Sequence, residues 1–413
     1  MAHPWKCVLG FALGLTTPAM LPAQTSSAPI HWVGSWASSQ QIPEPQNSLA
    51  PEDLQNATLR QIVHLSLVGK TLRIRLSNAF GTSPLHLTSV HIARSLNPAT
   101  SKIDTASDRT LQFSGSDDVL IPPGADYLSD PIDDPVAALS DLAITMHIDA
   151  APAQQTGHPG SRATSYLVHG DLVNAPELLN AKTVEHWYMI SAVDVASIPS
   201  ASSIVALGDS ITDGHGATTN GNDRWTDVLA RRLQQNPSTH NIGVLNQGIG
   251  GNHLLTDGLG PNVLARFDRD VLAQTGVRSL IVLEGINDLG ALSRMTAVTP
   301  QQHQQLVHRI IGAYQQIVAR AHTQGIKVIG VTIMPDTGSD YYHPAPENEA
   351  DRQQVNQWIR TAGHFDAVVD LSTLMADPTD STRLLPAYDS GDHLHPSPAG
   401  YRVMGEAFPL TLF

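Results

Sequence analysis

Four short segments in the second half of the chain carry side chains that together could perform nucleophilic chemistry. Leu207-Gly208-Asp209-Ser210 closes an apolar run and opens an Asp/Gly-rich loop, so Ser210 stands at a strand end near a helix start. That setting suits a hydroxyl nucleophile beside a developing oxyanion. No Gly-x-Ser-x-Gly occurs in the chain, which excludes the common nucleophile elbow. In Asn246-Gln247-Gly248-Ile249-Gly250-Gly251-Asn252, three glycines let the backbone approach a bound group closely and aim N–H donors at it. A phosphate cradle is the competing idea, but the Gly-Lys-Ser/Thr of a P-loop and the dinucleotide spacing are both missing. Glu284-Gly285-Ile286-Asn287-Asp288 supplies a neutral amide that can stabilise negative charge without titrating, while Glu284 and Asp288 suit a loop-holding role. In Asp392-His393-Leu394-His395-Pro396, an aspartate three residues ahead of His395 can orient the imidazole and stabilise its protonated form, with His393 directed elsewhere. The rival is a metal site of Asp392, His393 and His395, crowded for three ligands within four residues and lacking a further cluster to complete it.

These segments need a scaffold that brings them together. Apolar strand candidates lie at Ile204–Leu207, Gly243–Leu245, Leu280–Leu283, Val328–Ile333 and Ala367–Leu371, spaced widely enough for crossover helices. The clearest helix is Gln301–His322, and another is expected around Trp225–Leu233. The last helix has Ser397 as N-cap and Pro398 at its first position. Such alternation predicts a five-stranded parallel sheet covered on both faces, a three-layer α/β/α domain over 204–413. Ligands collect at the carboxyl ends of such strands, which is where the four segments fall.

The first half reads differently. Thr71 to Ser77, Leu85-His86-Leu87, Val90-His91-Ile92 and Leu142 to Ile148 alternate apolar and polar residues. Turn signals at Asn78–Gly81 and Pro122-Pro123-Gly124 punctuate these runs. Period-two runs with frequent turns predict half-buried antiparallel strands, hence a jelly-roll-like β-sandwich over 30–194. The Ser/Ala/Pro-containing stretch 195–203 reads as a linker.

Residues 1–23 form the pattern of a secretory signal peptide: Lys6, a short apolar core from Cys7 to Leu15, and Ala23 at the end. The core is too short to span a bilayer. Cleavage would remove the only cysteine, leaving no disulfide, no thiol nucleophile and no cysteine-ligated zinc. Secretion or a periplasmic location is therefore expected, with no membrane anchor. A net charge of −14 disfavours a nucleic-acid partner, and 41% hydrophobic with 15% charged residues excludes a disordered chain.

The joint order of the four segments resembles the SGNH (GDSL) hydrolase superfamily in all four of its blocks, from about Ile204 to Phe413. The strings Gln247 to Asn252 and Arg266-Phe267-Asp268-Arg269-Asp270 look like a bacterial arylesterase/acylhydrolase subgroup linked to xylan degradation. Leu59-Arg60-Gln61-Ile62 and Arg75-Leu76-Ser77-Asn78 are similar to what precedes the hydrolase domain there. The resemblance implies a serine esterase with Ser210 as nucleophile, His395 as base and Asp392 orienting it. Its oxyanion donors would be the Ser210 N–H, the Gly251 N–H and the Asn287 side chain. It implies no cofactor and no metal, and an ester substrate, foremost an acetylated oligo- or polysaccharide such as xylan. A general arylesterase or lipase-like acylhydrolase and an inactive carbohydrate-binding protein are the alternatives. Ile286 stands where many members have a small residue. Trp32, Trp36 and Trp187 are candidates for a sugar cleft or, more simply, for core packing. Arg266 and Asp268 are expected to form a stabilising ion pair.

Overall fold

Five short strands assemble at the centre of the second half because each carries a continuous apolar stretch that can be buried on both faces. They are β1 (Ser202–Gly208), β2 (Ile242–Gly248), β3 (Val277–Leu283), β4 (Lys327–Val331) and β5 (Ala367–Val369). All pairings are parallel, in the order β2-β1-β3-β4-β5. The longer helices of this half are α1 (Trp225–Gln235), α2 (Ile286–Ser293), α3 (Pro300–Thr323), α4 (Pro346–Arg360) and α5 (Pro398–Glu406). Thr299 caps α3 and Ser397 caps α5, each side chain accepting a backbone N–H of the first turn.

This computed structural model describes residues 1–2, 30–296 and 298–413. The signal-peptide reading, Cys7 included, falls almost entirely outside the described residues. No helix among the described residues is long and apolar enough to cross a membrane.

The first half holds a two-stranded antiparallel sheet, Gly157–His158 with Trp187–Tyr188, and two large antiparallel sheets. One pairs His31–Ala37, Ile190–Ser197, Gly69–Ser77 and Asp126–Leu128 in that order, with Ile132–Val136 also on Gly69–Ser77. The other runs Lys182–Val184, Ser165–His169, Ala57–Leu65, Ser140–Ile148, Leu85–Arg94 and Arg109–Thr110, with Val119–Ile121 also on Leu85–Arg94. The alternation has its expected cause: Leu72, Ile74 and Leu76 of one sheet share a buried core with Leu59, Val63, Ile144 and Met146 of the other.

The stretch read as a linker is mostly strand. Residues through Ser197 pair with His31–Ala37, and β1 begins at Ser202, leaving only a tight turn between them. His31–Phe413 forms one compact unit. Gly34 N–H donates to Thr275 O at 3.0 Å, and Ser66 Oγ accepts from Val244 N at 2.9 Å. Ser, Ala and Pro are poor strand formers by composition, but tertiary pairing overrides that preference here.

The glycines at the strand ends permit close approach. A Cβ on Gly248 would lie 2.2 Å from the Asp213 backbone nitrogen and 2.7 Å from Asp213 Cα. Backbone cannot yield as a flexible side chain can, so Gly248→Ala is expected to cost about 1–3 kcal/mol through overpacking. Urea unfolding checks this, and an unchanged midpoint would contradict it.

Candidate active site

Because β2, β1 and β3 are neighbours, the loops leaving their carboxyl ends lie side by side. Ser210 follows β1 at the start of a single helical turn, Ser210–Asp213, whose N-cap Asp209 accepts the Ile211 N–H at 2.9 Å. Gly250 and Gly251 follow β2, and Asn287 opens α2 after β3. His395 comes from the far end of the chain, in the loop before α5. That helix is locked against α1: Arg232 Nη1 donates to Gly405 O and Phe408 O, both at 2.8 Å, and Trp225 stacks on Phe408.

The result is a chain of short hydrogen bonds. Ser210 Oγ lies 2.8 Å from His395 Nε2, and His395 Nδ1 lies 2.6 Å from Asp392 Oδ2. Asp392 Oδ1 accepts from the His395 N–H at 2.8 Å, the Leu394 N–H at 3.0 Å and Ser390 Oγ at 3.0 Å. Burial pushes Asp392 up, but the hydrogen bonds from the His395 ring and backbone outweigh it and hold the carboxyl far below the usual carboxylate range. A permanently ionised carboxylate on Nδ1 leaves Nε2 facing the serine, the tautomer a base needs.

Three N–H sources face the same space. Ser210 N–H and Gly251 N–H make no hydrogen bond to another described residue, and Gly251 has φ 72°, a turn that suits glycine. Asn287 Nδ2 donates one N–H to Asn252 O at 2.7 Å, leaving its second free. Ser210, Gly251, Asn287, Asp392 and His395 all line one open cleft of about 760 Å³. Its rim carries His253, Leu259, Arg294, Asp340 and Tyr341, with the Arg294 guanidinium 3.7 Å over the Tyr341 ring.

Several expectations need correction. Arg266 does not pair with Asp268, which bonds Arg320 instead at 2.7 Å. Arg266 is buried and donates to Asp270 Oδ2, Ser39 Oγ, Gln247 O, Gly208 O and Asn252 Oδ1, tying together the loops after β1 and β2. His393 turns to Asp389, 2.6 Å away, so the metal set of Asp392, His393 and His395 does not assemble. Its place beside the other two is taken by His215, which, with them, offers ligand atoms within 4.8 Å of one another. Asp392 Oδ2 and His395 Nδ1 are already committed to each other, and Asp392 Oδ1 to the Leu394 and His395 N–H groups and the Ser390 hydroxyl. Ile286 is buried in the sheet core and does not line the cleft. Trp36 and Trp187 pack edge to face at 5.0 Å inside the first half, Trp32 lies under Arg73, and none of the three lines the cleft. Asp288 accepts the Leu254 and Leu255 N–H groups at 2.8 and 3.1 Å, the loop-holding role expected of it.

Tyr342 and His215 are among the cleft residues that the sequence does not single out. Tyr342 had no local signal. His215 had one, five residues after Ser210 in the Asp/Gly-rich loop, but it is one of 19 histidines. Its ring centroid lies 4.1 Å from that of His395, and its Nδ1 accepts from Arg162 Nη2 at 3.3 Å. Burial, then the neighbouring His395 and Arg162 charges, pull His215 down to about 4. The folded state thus binds fewer protons at this site than the unfolded chain between about pH 4 and 6.5. Its stabilising contribution is complete above that window and is lost as pH falls through it. Thermal melts of His215→Gln should therefore show a shallower acid-side decline than the parent; identical slopes would contradict this.

Residues 206–403 match the GDSL-like lipase/acylhydrolase family. No curated protein matches the chain. Among solved structures, a GDSL-like lipase from Bacteroides thetaiotaomicron is similar at 20% identity, covering 51% of this chain and 87% of its own, with TM-score 0.38. An acetylxylan esterase from Geobacillus stearothermophilus is similar at 22% identity, covering 51% and 94%, with TM-score 0.38. Every residue lining the cleft falls inside the matched span, so the cleft lies in a domain of the GDSL-like lipase/acylhydrolase family, a family of ester-hydrolysing enzymes.

Proposed function

We propose that this protein is an exported serine esterase that removes short acyl groups, acetyl foremost, from plant cell-wall carbohydrate such as xylan. The observation that carries the catalytic part is the 2.8 Å contact between Ser210 Oγ and His395 Nε2 at the floor of an open cleft. In this reading His395 takes the Ser210 proton as Oγ attacks the ester carbonyl. The negative charge on the carbonyl oxygen is held by the Ser210 and Gly251 N–H groups and the Asn287 amide. Asp392 stabilises the imidazolium, which then returns its proton to the departing alcohol. Water, deprotonated by His395, attacks the acyl-enzyme and releases the carboxylic acid with Ser210 restored.

The carbohydrate part rests on the strings Gln247–Asn252 and Arg266–Asp270 and on a wide cleft lined by aromatic and charged side chains, Tyr341, Tyr342, Arg294 and Asp340 among them. Residues 204–413 act as the catalytic half, joined directly to a jelly-roll-like accessory half over 30–194 that buttresses the loops from below through Ser39 and Arg162. Export follows from the pattern of residues 1–23. The test compares acetate release from acetylated xylan, acetylated monosaccharides and aryl acetates. Higher kcat/KM on the polymer supports the reading, whereas equal rates on all three, or a preference for long-chain esters, removes the polysaccharide.

A further inference from the structure

The Asn287 amide is held from both ends. Its Nδ2 donates to Asn252 O at 2.7 Å, and its Oδ1 accepts the Tyr342 hydroxyl proton at 2.6 Å. Asn252 is itself immobilised by donating to Leu259 O and Pro261 O and accepting from buried Arg266. A carboxamide has two N–H donors and one oxygen, so fixing the oxygen and one N–H sets the direction of the other. Tyr342 arrives from the segment after β4, and its ring is wedged against α2. A Cβ on Gly290 would come within 2.4 Å of that ring. Tyr342, Asn287, Gly251 and Ser210 all border the cleft.

We propose that Tyr342 is a positioning residue for acyl transfer: its hydroxyl orients and polarises the Asn287 amide so that the remaining Asn287 N–H stabilises the oxyanion. The inference rests on the reading of Asn287 as an oxyanion donor. A hydrogen bond onto the amide oxygen draws electron density from nitrogen and makes the opposite N–H a stronger donor, a cooperative effect that grows as negative charge develops opposite it. The benefit is therefore larger in the transition state than for bound substrate and falls on kcat instead of KM. Burial, reinforced by neighbouring Tyr341, pushes the Tyr342 phenol above its ordinary value, so the donor proton stays in place throughout the working pH range.

The experiment measures kcat and KM for phenyl acetate with the parent, Tyr342→Phe, Asn287→Ala and the double variant, between about pH 6 and 9. Tyr342→Phe keeps the wedged ring and removes only the hydroxyl. It is expected to lower kcat about 5- to 20-fold, with KM changed less than about twofold and the ratio to the parent constant across pH. Asn287→Ala should lose about 10²–10³ in kcat. The double variant should match Asn287→Ala to within about twofold, because the tyrosine acts only through the amide. A second replacement, 4-aminophenylalanine at 342, restores a donor and should recover kcat to within about threefold of the parent. Losses that multiply in the double variant, a loss confined to KM, or no recovery with the amine would overturn the positioning role alone. An Asn287→Ala enzyme as active as the parent would instead overturn the oxyanion reading and the proposal with it.

Discussion

Ser210→Ala is expected to lower kcat on an aryl acetate by about 10⁴–10⁶ while leaving the melting temperature unchanged. The size follows from what the methyl group cannot do. The acyl-enzyme needs a covalent bond to Oγ, and no other hydroxyl or thiol lies within reach of His395 Nε2 among the described residues. Residual turnover would come from water held by the histidine and from the oxyanion donors, which is why the loss is finite. The folded state should tolerate the change because Oγ makes its one side-chain bond to His395 and lies at the cleft surface. A fluorophosphonate probe should label the parent once, at Ser210, and the variant not at all. Asp392→Asn provides the matching control: it preserves shape but favours the wrong imidazole tautomer, with an expected loss of about 10⁴. If Ser210→Ala kept a tenth of the parent's activity, or the probe left the parent unmodified, the nucleophile assignment would fall.

The largest expected loss of stability belongs to a residue that touches no substrate. Arg266→Met should destabilise the fold by roughly 3–5 kcal/mol, since it strips the cation from a set of buried acids. Asp270 lies 3.1 Å from Arg266 Nη1 and Glu284 3.7 Å from Nη2. Asp209, Glu284 and Asp288 are buried close enough to repel one another. Burial first, then that repulsion, raises Asp209 and Glu284, and Arg266 offsets part of the rise. Asp288 is raised by burial, partly countered by the N–H groups it accepts. Raised carboxyls bind protons more readily in the folded state, so stability contributed by these groups declines as pH rises. Removing Arg266 should steepen that decline, making the variant's deficit smaller near pH 5 than near pH 8. Urea titrations at both pH values measure it. Arg266→Lys keeps charge but loses the fork that reaches Gly208 O, Gln247 O and Asn252 Oδ1 together, so it should recover only part of the stability. A deficit under about 1 kcal/mol for Arg266→Met, or one independent of pH, would show that the network is not held by this charge.

The two residues differ in how visible they were. Ser210 could be found because a buried strand, a tight Gly-Asp turn and a helix start are all local features, written within eight residues. The five parallel strands, the long helix after Thr299 and the Ser397-Pro398 helix start were legible for the same reason. Periodicity and capping depend on neighbours in sequence, and the observed boundaries differ from the expected ones by only a few residues. The antiparallel strands of the first half were legible as alternation. Arg266, by contrast, was assigned the wrong partner because Asp268 and Asp270 are equally near in sequence. Only the geometry of the turn after Phe267 sends Asp270 inward and Asp268 toward Arg320. Residues 195–203 have the composition of a loop, yet Val195 to Ser197 pair with a strand more than 150 residues earlier and Ser202 and Ser203 pair in the parallel sheet, hydrogen bonds that composition does not promise.

What the chain determined by itself, then, was the kind of chemistry and the scaffold: which blocks hold a hydroxyl, an imidazole with its carboxylate, and an amide, each at the end of an apolar strand or the start of a helix. Local sequence suffices there because each block's conformation is governed by its own turn and cap. Tertiary structure decided the rest, including the close approach of His215 to His395, the hold of Tyr342 on Asn287, and the placing of buried Arg266 between Asp270 and Glu284. Most of those contacts join separate elements of the chain. Their energies depend on distance and burial in the folded state, which leave no periodic trace along the sequence.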